Sequence, residues 1–217
     1  YTDYELTNIR GNVQINNKNG TINLDGAESV FISGDYSNIK ASNPRGEQVQ
    51  IESKSAKLEL NNVLGRLMIN GGYLNIELED IAKDVSITNR SGKVSASNLK
   101  GSCRISGDYN KIKLDDFEGS EIQIENRSGD IEINALNHLN LVNIESSYTT
   151  IKLNLASAFS GNVRFFVTYG KLTHPYKLNN ATLVDERNST KIEGTVGNGT
   201  GQMEIESRNG NVIITQK

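Results

Sequence analysis

The stretch "ITNRSGKVSA" at residues 87–96 returns as "IENRSGDIEI" at 124–133 and as "IESRNGNVII" at 205–214. Each copy is two short apolar runs of period two around one polar turn. Period two sends alternate side chains to one face of a strand, so each copy reads as a pair of strands. With the first Ile as anchor, the pattern extends through Ile15, Ile32, Ile51, Ile69, Ile87, Ile105, Ile124, Ile144, Phe165 and Ile205. The anchors are 17–21 residues apart as far as Phe165, and a gap of 40 then precedes Ile205. Apolar residues stand two before each anchor, from Val13 to Met203, and seven after it, from Ile22 to Val212. Position nine is also apolar or Ala in every copy except at His174. A fifth inward position, three residues further on, runs from Ala27 to Leu136.

A strand pair with one apolar face cannot bury that face alone, so such units stack on one another. The pattern predicts an all-β fold: a single-stranded parallel β-helix, or β-solenoid, of about ten rungs of 18–20 residues. One domain spans 1–217, with regular rungs over 13–174, an irregular coil or excursion over 175–202 and a terminal rung over 203–217. An antiparallel meander competes, because "NRSG" also suits a hairpin turn. The fivefold inward register favours the solenoid. A second periodicity is laid over the first. Four after the anchor, Tyr36, Tyr73, Tyr109 and Tyr148 occupy alternate rungs, and Asn19, Ser55, Ser91 and Ser128 fill the rungs between. The coil is therefore either one rung or a double rung of about 37 residues.

Net charge is −3 over 217 residues, which gives no electrostatic case for nucleic acid or anionic membrane. Aromatic residues make up 6% of the chain with no Trp, too few for a large globular core. No apolar run reaches the roughly 18–20 residues of a membrane span. The chain begins at Tyr1 without a signal-peptide pattern, which fits a trimmed sequence whose export signal or lipid anchor has been removed. One cysteine, Cys103, excludes an internal disulfide and a Cys-rich zinc site.

No nucleophile elbow, phosphate loop or dinucleotide fingerprint is present, and "GNGTG" at 197–201 reads as a loop. Cofactors and metals are not expected. Glu79–Asp80 and Asp115–Asp116 lie two rungs apart at equivalent corners, and they read as solvated polar corners more readily than as a catalytic pair. His138 and His174 share no spacing that suggests a site. Cys103 takes an inward Val position and is expected to be a buried, inert thiol. Two outer rows remain as possible glycan- or partner-binding features. Lys18, Lys54, Arg90 and Arg127 form a basic line, which reads as turn-tip charge or as a ligand row. Tyr36, Tyr73, Tyr109 and Tyr148 read as corner braces or, where exposed, as a platform for stacking sugars.

The repeated I-x-N-R-S-G-x-[IV] at 87–94 and 124–131, with the tail "KIEGTVGNGTGQMEIESRNGNVII" at 191–214, is similar to a bacterial adhesin family of the DUF4097 type. Relatives of that family include the GIN-domain adhesin heads. The resemblance implies a right-handed parallel β-helix exported to the envelope or cell surface, often lipid-anchored, and it carries over no catalytic residues. The expected function is a non-enzymatic surface or envelope module that shows a repetitive face to a glycan or protein partner. The alternatives are an envelope assembly component that pairs through its ends and, less favoured, a polysaccharide-active enzyme.

Overall fold

In the computed structural model, which describes residues 1–216, the chain forms strands and turns without a helix. After a short β1 (Tyr4–Thr7) come six long strands, each one turn of the coil: β2 (Val13–Ala27), β3 (Val30–Pro44), β4 (Gln48–Val63), β5 (Arg66–Ile81), β6 (Val85–Leu99) and β7 (Cys103–Phe117). In later turns the corner interrupts the strand. They are β8 (Glu121–Ser128) with β9 (Ile131–Ala135), β10 (Leu141–Ser147) with β11 (Ile151–Leu155), and β12 (Gly161–Thr168) with β13 (Leu172–Thr173). A hairpin, β14 (Asn179–Glu186) and β15 (Ser189–Val196), precedes the last turn, β16 (Gly201–Arg208) with β17 (Val212–Gln216).

Turns β2 to β10/β11 stack in parallel and in chain order, one turn per tier, so the fold is a β-solenoid with a single-rung coil. The register lays Ile15, Ile32, Ile51, Ile69, Ile87, Ile105, Ile124 and Ile144 directly over one another. All are buried, as is the parallel row from Ile22 to Ile151. Each such side chain contributes about 1.5–3 kcal/mol on leaving water. One inward position differs from expectation. Leu136 is exposed, and Ala135 is buried opposite Phe117 in its place. That tier lacks the left-handed corner residue present in earlier tiers (Asn43, Asn62, Asp80, Asn98 and Asp116), which shortens it by one position.

The order of the last turns also differs from the order of the chain. The segment expected as a terminal rung lies inside the stack: β16/β17 pairs with β10/β11 on one side and with β12/β13 on the other, parallel to both. The irregular segment forms the hairpin β14–β15, and β15 lies antiparallel on the far edge of β12. Between β15 and β16 the loop "GNGTG" carries the chain across the start of β12 and wraps Ser160. The Ser160 hydroxyl donates to the Val196 carbonyl at 3.1 Å and accepts from the Gly199 N–H at 2.7 Å. Side chains at Gly199 and Gly201 would collide with Ser160, which explains the glycines.

The same geometry explains "NRSG". Asn89 is fully buried; its side chain accepts from the Leu74 N–H at 3.1 Å and donates to the Leu74 carbonyl at 3.0 Å. Asn126 grips Asn110 of the preceding tier in the same way, at 3.1 and 2.8 Å. The asparagine thus supplies the ladder hydrogen bonds that the corner breaks. Gly92 (φ 143°) and Gly129 (φ 103°) follow because a Cβ there would strike those same carbonyls, of Leu74 and Asn110. In the alternate tiers the roles exchange. Gly71 and Gly107 stand at the asparagine position and leave room for Leu74 and Asn110 three residues on. The double periodicity is therefore a zigzag packing inside the corner. Asn126→Leu strands a buried N–H and C=O of Asn110, at about 1–3 kcal/mol each. Gly129→Val adds a left-handed penalty of about 1–2 kcal/mol to the collision. Denaturant midpoints should fall strongly for both and hardly at all for Arg127→Ser at the exposed turn tip, and a neutral Asn126→Leu would sink this account of the corner.

Candidate binding ridge along the solenoid corner

The corner that buries asparagine and glycine inside turns two residues outward between them. In one set of tiers the outward pair carries Lys18, Lys54, Arg90, Arg127 and Arg208, each followed by Ser or Asn. In the other set it carries Tyr36, Tyr73, Tyr109 and Tyr148, and all four rings are 50–62% exposed. They project from the corner rather than brace it. The register puts each tyrosine opposite Asn or Ser of the neighbouring tiers, as in Ser55–Tyr73–Ser91, so no two tyrosines are adjacent.

A fifth tyrosine completes the row. Tyr169 is 62% exposed and lies two tiers from Tyr148, with the Asn209 tier inserted between them. In chain order Tyr148 and Tyr169 belong to consecutive turns and break the alternation, and the out-of-order β16/β17 restores it. Tyr169 stands four residues after the anchor Phe165, so its signal was present. It was masked by counting alternate rungs in chain order. Tyr148 and Tyr169 both hold a left-handed backbone (φ 53°), which costs a bulky residue about 1–2 kcal/mol.

Charge along the ridge is mixed. Lys54 donates to Asp35 at 2.7 Å, and that hydrogen bond, helped by the carboxylate's charge, raises its ammonium above the ordinary lysine value. Among the described residues no salt bridge engages Lys18, Arg90, Arg127 or Arg208. Asp35 and Asp108 nevertheless interleave the cations in the same row, and Glu52, Glu125, Glu145 and Glu206 flank it two residues away. Acids thus offset the cations along the row. Between Tyr36 and Tyr73, where Gly72 carries no side chain, lies an open recess of about 480 Å³ lined by Ser53, Ser55, Lys54, Asp35, Glu52 and Asn70.

The other candidate groups lie elsewhere: Glu79 and Asp115 line one open groove of about 510 Å³ with Lys40, Glu59 and Glu77, but they sit two tiers apart with Ser97 between them in register. Asp80 (φ 57°) and Asp116 (φ 50°) belong to the left-handed corner row that Asn and Asp fill in other tiers, and Asp80 accepts from Asn98 at 2.9 Å. Burial pushes the Asp115 carboxyl up, but hydrogen bonds from Lys113 and Asn134 outweigh it and hold it below the usual carboxylate range. It is a poor proton donor at neutral pH. Among the described residues no group of three or more His, Cys, Asp or Glu is arranged to hold a metal ion. His138 lies 3.0 Å from the Ala158 carbonyl, and His174 stacks on Tyr176 at the C-terminal end of the rod. Cys103 is buried, and desolvation pushes its thiol up to about 12, far from a reactive thiolate.

Comparison with known proteins places this geometry in a family. No curated protein and no solved structure matches the chain. Residues 82–215, which contain the Arg90–Arg127–Arg208 row and Tyr109, Tyr148 and Tyr169, match the family described as Toastrack DUF4097. That span is more than half of the chain, and the protein belongs to the Toastrack DUF4097 family of β-solenoids.

Proposed function

We propose that this protein is a non-catalytic binding rod whose working surface is the corner ridge, and that its partner is an extended chain lying along the solenoid axis. One observation carries the reading: five exposed tyrosines lie in a single row at every second tier, and two of them are held in strained backbone. Large apolar rings shown to water along a whole edge cost solubility without adding to the core, and they are the side chains that dominate recognition energetics. The interleaved Lys, Arg and Asp groups supply polar contacts of both signs. In keeping with the resemblance of its repeats to bacterial adhesins, we place the rod at the cell surface or envelope. Among the described residues no helix is long and apolar enough to cross a membrane.

The test is binding of the wild-type protein and of a Tyr73→Ala/Tyr109→Ala/Tyr148→Ala variant to a glycan array and to purified envelope proteins. Loss of retention by at least tenfold, at an unchanged melting temperature, is expected. Retention that survives the triple substitution overturns the ridge as the working surface. A second reading, assembly through the ends of the rod, is favoured by β14. Among the described residues it pairs only with β15 and leaves its outer edge open, with Leu183 and Val184 exposed. A protein that binds nothing on the array but self-associates, and stops doing so when Thr182 is replaced by proline, supports that reading instead.

A further inference from the structure

We infer that the ridge takes an uncharged, linear β-1,4-linked glycan, with one disaccharide per pair of tiers; this rests on the ridge being the binding surface. Parallel tiers repeat at about 4.8 Å, so tyrosines at every second tier repeat at roughly 9.5 Å along the axis. A β-1,4-linked glycan repeats over a comparable length. Its successive sugars are flipped, so every second ring turns the same face outward. Tyr36, Tyr73, Tyr109, Tyr148 and Tyr169 keep that interval over the length of the rod, because the insertion of β16/β17 holds Tyr148 and Tyr169 two tiers apart.

Between Tyr36 and Tyr73 the intervening sugar meets the open recess. Its walls provide donors (Lys54, Asn70) and acceptors (Asp35, Glu52) in about equal measure. Sugar hydroxyls use both. A polyanion would meet Asp35, Glu52, Asp108, Glu125 and Glu145 among the cations, so the balance of charge opposes it. An extended peptide also alternates its faces, but its two-residue repeat of about 6.8 Å does not match the tyrosine interval. Each further disaccharide adds one more ring contact of the same kind, so affinity should grow in steps rather than continuously.

The experiment is titration of the intact protein with cello-oligosaccharides and chito-oligosaccharides of increasing length, with hyaluronan oligosaccharides as the charged control. Affinity should rise about 2–10-fold for each added disaccharide, the increment of one more aromatic contact, and should change little for each odd sugar. Tyr109→Ala should cut the binding of long chains by a similar factor, Tyr109→Phe should restore it, and added salt should leave it nearly unchanged. Binding without two-sugar steps, salt-sensitive preference for hyaluronan, or no binding of either neutral series overturns the inference. None of these results touches the ridge itself, which stands or falls on the tyrosine triple substitution against the array.

Discussion

Aspartate in place of Ile124 should abolish cooperative unfolding of the rod at neutral pH. Ile124 is 3% exposed and sits in register between Ile105 and Ile144, in a row that is aliphatic or aromatic from Ile15 to Phe165. An ionised carboxylate there has neither water nor a partner, and its cost compares with the whole stability of a domain, about 5–15 kcal/mol. The group escapes by holding its proton, so its folded pKa lies above the unfolded value of about 3.9. Between those two values only the unfolded chain ionises, and stability falls by about 1.4 kcal/mol per pH unit. Below the unfolded value both states are neutral, and only the cavity and polar penalties remain. Ile124→Asp should therefore be far less destabilised near pH 4 than at pH 7, whereas Ile124→Asn should show no such pH dependence. Denaturant melts of both variants at the two pH values test this, and equal losses for the aspartate at both would be incompatible with a dry ladder. Ile87→Asp should behave in the same way.

That ladder was legible because each tier is an independent statement of one pattern. A slip of one residue would turn every inward side chain outward, so repeated Ile, Leu and Val at fixed offsets fix strand, face and register together. The register failed at Leu136, where a tier is shortened at its corner. A residue count cannot distinguish a missing corner residue from a displaced apolar one. The order of the tiers was less legible. Stacking partners in a solenoid are normally neighbours in the chain, and nothing local to 201–216 says otherwise. The clue lay in the alternation. Tyr148 and Tyr169 stand in consecutive turns with the same corner type, while "SRNG" at 207–210 has the complementary type and no neighbour in the chain that requires it.

For the ridge, spacing along the chain identified the rows but not their exposure. A tyrosine at a corner can lie over the core or away from it, and the choice depends on what fills the corner from inside. Here Asn89, Asn110 and Asn126 fill it with side-chain hydrogen bonds to the backbone and to one another, and the residues between them are turned out. The basic line was visible as cations, yet its balance by Asp35, Asp108 and the flanking glutamates emerges only once the tiers are in register.

Because β16/β17 is an inserted tier, a chain ending at Thr200 should lose more than its last turn. Met203, Ile205, Val212 and Ile214 are all buried between β10/β11 and β12/β13. Burial of four such side chains amounts to about 6–12 kcal/mol as an upper estimate. If the missing tier were an end cap, truncation would expose one new edge and leave β12 in place. Removing an interior tier exposes two edges instead, that of β10 and that of β12. The two cannot simply close on each other, since Tyr148 and Tyr169, both in left-handed backbone, would then fall in adjacent tiers about 4.8 Å apart. Hydrogen exchange on the truncated chain should show β12 to β15 unprotected and β10/β11 weakened, with β2 to β7 protected as before, because a solenoid couples each tier mainly to its neighbours. A synthetic peptide of residues 199–217 added in trans should restore protection to β12. Full protection of β12 without the peptide would mean that the tier order is not dictated by the corner alternation.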